Sequence, residues 1–527
     1  MTNQSPPPPP KPALLQRLRG WFARARSSDV IVANVGAGAS DVVVGKNILK
    51  IGTLVIPALP VVIALLVALV GGSIGLWRYL VPATMPLGAF NVAVAEFSQI
   101  DAQGRERATP DSALISRTLF TTIQGELQAL PADYQAVVWH DSMNLLQKRA
   151  TIGAITGATV AERSAAACRR ATELGADLIV YGVLDSGNSP AFLRLQFCVR
   201  NPSRDRDMGN LAELQTVDRL GGPVQVELPL SDVQSSVNPP LRVRTALLAK
   251  LVVGLRYELA TNPNLTANLK RAQAVFADAL RYLEQQEGAA TRDNGGDLVQ
   301  YFIGREGFLL SQEQSSSPSE KSSLLENARA ALQQATALNP QYARAWSALG
   351  SVYYARTRLL ARPQRLSTDD LAQAISAYQS AIATAQTDGD PSAEAEARLA
   401  LALSEWLHGD SYLYQTPSNT ASAEAAFVRA DQQIQIGAAL IEPAQNRLHG
   451  YAAMARGLIA HERAQIALRA GDQQASRSFF QQARDAYGEC IAAGQADPGD
   501  QFLQRQLIAI TCAPNAQNVV DALQQFQ

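Results

Sequence analysis

Only four histidines and four cysteines occur among the 527 residues, and neither type falls into ligand spacing. There is no Cys-x2-Cys pair, and His461-Glu462 is followed by Arg463, Ala464 and Gln465, so the zincin pattern fails at its last position. Asp205 and Asp207 alternate with Arg204 and Arg206, the pattern of a solvated loop rather than a calcium site. At the strand end His140-Asp141, a turn-forming Asp beside an exposed His is expected, and no Gly-x-Ser-x-Gly elbow is present. Phosphate motifs fail as well. In the stretch 35–48, six residues separate Gly38 from Gly45 and Asn47 follows Lys46, which breaks the P-loop; Asp41 stands where a dinucleotide fingerprint needs its third glycine. No cofactor, no metal and no small-molecule substrate is therefore expected, nor catalysis. Charge of one sign is also scarce: 46 basic residues face 47 acidic ones, net charge −1, and the folded part has no basic run. Broad nucleic-acid binding, which needs a clustered cationic footprint, is excluded on that ground.

One long stretch lacks charge altogether. No Asp, Glu, Lys or Arg occurs from Ile51 to Trp77, and a helix from Pro57 to Trp77 would rise about 31 Å, close to the hydrocarbon thickness of a bilayer. The expectation is a single transmembrane helix within residues 51–80, with Pro57 and Pro60 in its first turn, where missing amide donors cost little. Lys11, Arg17, Arg19, Arg24, Arg26, Lys46 and Lys50 precede the run and Arg78 alone follows closely. This bias predicts a cytoplasmic N-terminus and extracytoplasmic C-terminal domains on a single-pass cell-membrane protein. The cysteines fall in two sequence-near pairs, Cys168 with Cys198 and Cys490 with Cys512; two disulfides and buried thiols both fit. Before the span, residues 1–50 comprise a proline spacer, a basic amphipathic helix carrying Leu14, Leu18, Trp21 and Phe22 for the inner leaflet, and a Gly/Val-rich segment whose Val30, Val32, Val42 and Val44 suit a small β element.

Residues 87–239 alternate between strand and helix patterns. Strands are expected at Phe90–Phe97, Ala136–His140, Leu178–Leu184 and Phe192–Val199, and helices at 111–130, with Asp111 as N-cap, and 159–174. That series makes a small α/β domain. With its strand Phe90–Phe97 and the run Gly175-Ala176-Asp177-Leu178-Ile179-Val180-Tyr181-Gly182, the segment resembles envelope domains of the TolB N-terminal and curli-secretion lipoprotein type. The resemblance implies an interaction module without cofactor.

From residue 240 to 527 the pattern is helical. Trp346, Leu349, Gly350 and Tyr353 lie on one helix, preceded by Ala328, Leu332, Ala335 and Pro340. These residues fit one 34-residue frame and resemble the tetratricopeptide (TPR) repeat. The resemblance implies that Trp346, Leu349 and Tyr353 fill the groove of a partner helix, that Gly350 permits close approach, and that Pro340 ends the preceding helix. A second-helix signature, Ala-x3-aromatic-x2-Ala, recurs at Ala272/Phe276/Ala279, Ala374/Tyr378/Ala381 and Ala423/Phe427/Ala430, with near matches at Ala328/Leu332/Ala335 and Ala483/Tyr487/Cys490. Its spacing exceeds 34, which predicts insertions such as Ser315–Ser319, Ala361–Thr368 and Tyr412–Asn419. The expected fold class is thus α with α/β: one membrane helix, a small α/β domain and a TPR-like α-solenoid. Such arrays hold protein or peptide partners on their first helices, where Arg344, Ser347, Ser351 and Tyr354 are left over by packing. The expected role is a membrane-anchored scaffold or assembly factor. A transmembrane sensor or solute-binding protein with a cleft in the α/β domain is the alternative.

The topology is testable directly. A reporter active only outside the cytoplasm, fused after Gln527, is expected to be active; a silent fusion alongside a working cytoplasmic reporter would reverse the orientation.

Overall fold

The computed structural model describes residues 31–33, 42–45, 48–51 and 54–57, then all residues from 84 onward except 87–89, 135, 143–150, 188–189, 201–214, 220–222, 227–238, 259–263, 314–316, 362–363, 367, 442–444, 499–502 and 527. The chain divides into two compact units, Met1–Ala83 and Thr84–Gln527. In the first, β1 (Ile31–Ala33), β2 (Val42–Gly45), β3 (Ile48–Ile51) and β4 (Leu54–Pro57) form an antiparallel sheet in sequence order. Val44 faces Ile31, and Ile56 faces Leu49. These runs are rich in Val and Ile, whose branched side chains suit a pleated surface. Residues 51 and 54–57 are therefore strand, so the start of the 51–80 span allotted to the membrane helix is sheet; the helix read from Pro57 to Trp77 meets the described residues only at Pro57. The remainder of that span, 58–83, lies outside the described residues, as do the proline spacer and the basic amphipathic segment. Among the described residues no helix is long and apolar enough to cross a membrane.

The second unit starts with a mixed sheet. Strand β5 (Phe90–Val94) sits between β8 (Ala136–His140) and β9 (Leu178–Asp185), parallel to both. The short β6 (Ser98–Ile100) continues alongside β9 and pairs with β7 (Glu106–Arg107). On the other side of β9 lies β10 (Ala191–Arg200), antiparallel, with β11 (Gln215–Arg219) and β12 (Val224–Val226) on its far edge. Alternation along the central strands feeds two cores, as the pleat requires. Val92, Val94, Leu178 and Val180 pack with α1 (Pro110–Gln128) through Ile115, Leu119 and Ile123. Ala93, Ala95, Ile179 and Tyr181 pack with α2 (Val160–Leu174) through Ala167, Cys168 and Ala171. The N-cap of α1 is Thr109, not Asp111: its side chain accepts from the Ser112 amide while Ser112 returns a bond, and Pro110 takes the first helical position. Thr159 and Glu162 cap α2 in the same reciprocal way. Both cysteine pairs are disulfides, Cys168–Cys198 joining α2 to β10, and Cys490–Cys512 at the far end of the chain.

Helices then run to the C-terminus in five antiparallel pairs: α3 (Pro239–Glu258) with α4 (Leu265–Glu287), α5 (Gly296–Gln312) with α6 (Pro318–Leu338), α7 (Ala343–Leu359) with α8 (Asp370–Asp388), α9 (Pro391–Leu413) with α10 (Thr420–Leu440), and α11 (Asn446–Arg469) with α12 (Gln473–Ala496). A π-helical turn, Leu503–Cys512, and α13 (Ala513–Gln524) close the last pair. Successive first helices touch, α5 with α7, α7 with α9 and α9 with α11, more closely than second helices do. The first helices therefore lie on the inner side of the curve. Helix α3 also packs on α1 and β12, so one apolar cluster runs unbroken from Phe90 to Leu401. At that joint the Tyr134 hydroxyl donates to Asn268 Oδ1 (2.6 Å), Arg256 Nε donates to the Tyr134 carbonyl (3.0 Å), and Arg256 and Arg271 both lie over the Tyr134 ring.

One contact recurs in every pair. A large second-helix side chain packs against a first-helix glycine: Phe276 on Gly254, Leu332 on Gly304, Tyr378 on Gly350, Phe427 on Gly409 and Tyr487 on Gly457. A β-carbon at these glycines would sit 2.2 to 2.8 Å from the facing side chain, so any side chain there forces the helices apart. The five wedges are the central residues of the five signatures read from the sequence, and each is fully buried with both its small neighbours. Gly409→Ala is accordingly expected to destabilise the full chain by about 1–3 kcal/mol through overpacking. Gly488→Ala, on the exposed face of α12 with nothing within 4 Å, is expected to stabilise it by about 0.5–1 kcal/mol through helix propensity. Equal shifts in the two chemical melts would remove the packing role of the first-helix glycines.

Candidate functional site

A surface cleft of about 360 Å³ opens where α6, α7 and α8 meet. Gln333, Thr336 and Ala337 come from α6, Trp346, Leu349 and Tyr353 from α7, and Gln373, Ser376 and Ala377 from α8. Each contribution is a face of a helix at three- or four-residue spacing, which is why side chains from three elements converge. Trp346 is half-buried and its Nε1–H donates to the Pro340 carbonyl (2.8 Å), locking the ring across the cleft. Gln333 Nε2 donates to the Tyr353 hydroxyl (2.8 Å) and Gln333 Oε1 accepts from Arg329 Nη1 (3.0 Å). On the opposite wall Gln373 and Ser376 are exposed. No charged side chain lines the cleft, yet a chain of ions runs beside it: Glu326 takes Arg329 and Arg356 (2.6 Å), and Arg356 Nε bonds Asp370 (3.1 Å). The Arg329 and Arg356 hydrogen bonds hold the Glu326 carboxyl below its usual range. Chemically this is a neutral, amide-walled trough with an aromatic floor. A side-chain amide offers one donor and one acceptor, the complement of a peptide bond, and the Trp346 face suits an apolar side chain.

The structure redistributes the residues singled out from the sequence. Ala328, Ala335, Ala374, Tyr378, Ala381, Ala423, Phe427 and Ala430 are all buried, as is Gly350 under Tyr378; Leu349 and Tyr353 are buried toward α6 at the floor of the cleft. Pro340 is exposed in the turn ahead of α7. Trp346 was expected to be buried in a partner groove; it stays partly exposed, because Tyr378 already occupies the space over Gly350 and leaves the indole at the cleft. Ser347 and Ser351 were expected on the surface and are buried. Ser351 Oγ donates to the Ser347 carbonyl (2.9 Å) and accepts from the Tyr378 hydroxyl (3.1 Å), which puts Ser351 at the contact of α7 with α8, while Ser347 is buried one turn before it. Arg344 bonds Asp390 at the start of α9 (3.1 Å). Tyr354 is half-buried, its hydroxyl enclosed strongly enough that burial pushes its pKa up. Four residues expected to contact a partner are thus engaged within the array, while Gln333, Gln373 and Ser376, which the sequence analysis did not single out, face the cleft.

At the strand end the expected exposed histidine is instead buried. His140 is buried, stacked on Phe120, and its ring nitrogens bond Ser142 (2.6 Å) and Ser116 (3.1 Å); Asp141 accepts the Ile152 and Gly153 amides (2.9 and 2.7 Å). Among the described residues no group of His, Cys, Asp or Glu could hold a metal ion.

The TPR repeat family matches residues 324–356, which cover most of α6 and most of α7 and so include two walls of the cleft. The chain contains a TPR repeat there, within a helical repeat region. No curated protein matches the chain, and the likeness of the middle segment to TolB-type and curli-secretion domains finds no counterpart.

Burial of His461 against the edge of Phe480 lowers its pKa below the ordinary value of 6.5. Its folded pKa is depressed, so its contribution is fully present above pH about 6.5 and is lost as pH falls through the lower folded value. His461→Gln is expected to lose less melting temperature than the parent between pH 7 and pH 5. Parallel pH profiles would show that His461 does not charge on unfolding.

Proposed function

We propose that the chain is a membrane-anchored, extracytoplasmic protein-interaction scaffold or assembly factor, acting by binding without catalysis. The observation that carries the binding role is the neutral cleft of α6, α7 and α8, which coincides with the TPR match and combines a fixed indole with amide walls. TPR repeats present helix faces to protein partners, and a trough of this size accepts two or three residues of an extended segment. The anchor is proposed from the uncharged run within 51–77 and the basic excess before it. Two disulfides are consistent with the outer side, since such bonds persist in oxidising compartments. The continuous core through α1 and α3 favours a role in which the α/β layer supports the array, because a rigid base keeps cleft geometry fixed.

A photo-cross-linking residue at Gln373 in the membrane-embedded full chain tests this. A discrete protein adduct is expected, weakened at least tenfold by Trp346→Ala and absent with the cross-linker at Gln482 on α12. Equal adducts at both positions, or indifference to Trp346→Ala, would sink the cleft as binding site.

A further inference from the structure

The helix pairs share more than a glycine and its wedge. On α7 the floor of the cleft is a row at fixed places around Gly350: Trp346 four residues before it, Leu349 one before and Tyr353 three after. In three other pairs a charged side chain two residues beyond the wedge reaches back to this row. Asp278 bonds Lys250 (2.6 Å), four before Gly254; Arg429 bonds Glu405 (2.7 Å), four before Gly409; and Glu489 bonds Arg456, one before Gly457. On α5 the row is uncharged, and close approach shuts it. Gln273 of α4 and Ala328 of α6 both come within 3.5 Å of a β-carbon placed at Gly307. On α8 the residue two beyond the Tyr378 wedge is Ser380, which donates to the Ser376 carbonyl of its own helix (3.1 Å). No ion pair can form between Ser380 and Trp346 or Leu349. The groove between second helices α6 and α8 is therefore open over Trp346, and it is tied shut only past Tyr353, where Arg356 links Glu326 of α6 to Asp370 of α8.

What fits this groove follows from its polar groups. A charged ligand group would lose hydration there with no counterion lining the floor to meet it. The indole Nε1–H is engaged by the Pro340 carbonyl, so Trp346 offers a flat face and no donor. Gln373 and Ser376, exposed and one turn apart on α8, are the side chains left without a partner among the described residues of the cleft wall. Both can donate. A helical ligand has already paired its backbone carbonyls and has little for these donors to bind. The walls are helices, so there is no strand edge for an extended ligand to join. A polyproline II segment has unpaired carbonyls, no amide hydrogens at its prolines to leave unsatisfied, and flat rings for the indole face. From Trp346 to Tyr353 the floor runs about 10 Å, the length of about three polyproline II residues.

We propose that the groove between α6 and α8 docks a proline-rich segment of another protein, with proline rings on Trp346 and backbone carbonyls bonded by Gln373 and Ser376. The proposal rests on the binding role argued above and adds the chemistry of the partner. The chain's own proline run, residues 6–10, precedes the proposed anchor and so falls on the other side of the membrane. Such a segment is already ordered before it docks, which lowers the entropy lost on binding.

The test uses the full chain in detergent and three fluorescent peptides: nonaproline, a nine-residue glycine–serine peptide, and a helical fifteen-residue peptide of alanine, leucine and glutamine. Fluorescence anisotropy is expected to show nonaproline bound at least tenfold more tightly than either of the others. Gln373→Ala with Ser376→Ala is expected to weaken that binding at least threefold. Trp346→Lys with Ser380→Asp, which copies the Lys250–Asp278 bond into the groove, is expected to weaken it at least tenfold. Tighter binding of the helical peptide, equal binding of the nonaproline and glycine–serine peptides, or indifference to the Gln373 and Ser376 changes would overturn the proposal. Those two residues are exposed, so their variant decides even if the Trp346 variant fails to fold. A Gln373 adduct with the mass of two copies of this chain would likewise overturn it, assigning the groove to self-association. Absent nonaproline binding with a retained adduct to another protein sinks the polyproline reading alone; loss of both sinks the binding role with it.

Discussion

The array depends on the contact of one large side chain with one glycine, made five times. A helix pair is normally held 8–10 Å apart by its side chains. Removing the side chain from one helix and laying a ring or a leucine in its place closes that distance and buries the wedge completely. Emptying such a site typically costs about 3–5 kcal/mol for a phenylalanine. The contact also sets the rotation of each helix, because only one face carries the glycine. Everything functional in the second unit is placed by that rotation: which residues of α7 meet α6 and α8 in the cleft, and which meet α9 on the inside of the curve.

Rotation explains why neighbouring residues on α7 have such different fates. Gly350 turns toward Tyr378; Leu349 and Tyr353, with half of Trp346, then face α6 and the cleft; Ser351 meets the Tyr378 hydroxyl of α8, and Ser347 is buried one turn before it. Ions follow the same logic. Pairs at the rim, such as Arg329 with Glu326, are solvent-screened and contribute little to stability. Arg305 with Glu258, which joins α5 to α3, is desolvated and so far less screened.

The repeats were legible in the sequence through their second helices. A small-x3-large-x2-small stripe survives insertions because it lies within one helix, so all five wedges could be found even though their spacing is irregular. Their glycine partners were legible only at Gly350, since the other four sit on first helices without the Trp-Leu-Gly-Tyr setting, at separations that vary with the connecting loop. The cleft was not legible. Gln333, Gln373 and Ser376 belong to three consecutive helices, and nothing local distinguishes them from solvated surface until the pairs are stacked. Ser347 and Ser351 misled for the converse reason: as small polar residues they read as surface, but they suit a seam where helices approach closely. In the α/β layer the strand and helix positions followed from alternation and capping residues, while Thr109 displaced Asp111 as cap because Pro110 fits only inside the first turn. Residues 51 and 54–57, the start of the span allotted to the membrane helix, pair as strands instead.

The central claim is that each hairpin is fixed by its own glycine and wedge, and a double-mutant cycle on one pair measures it most directly. Gly409→Ala and Phe427→Leu, singly and together, would be compared by chemical unfolding of the full chain, with Gly409→Ala and Tyr378→Leu as the crossed control. The account predicts that the smaller wedge relieves the added β-carbon, giving a favourable coupling of about 0.5 kcal/mol or more for Gly409 with Phe427 and additivity for the crossed pair. Additive effects in both cycles would contradict it.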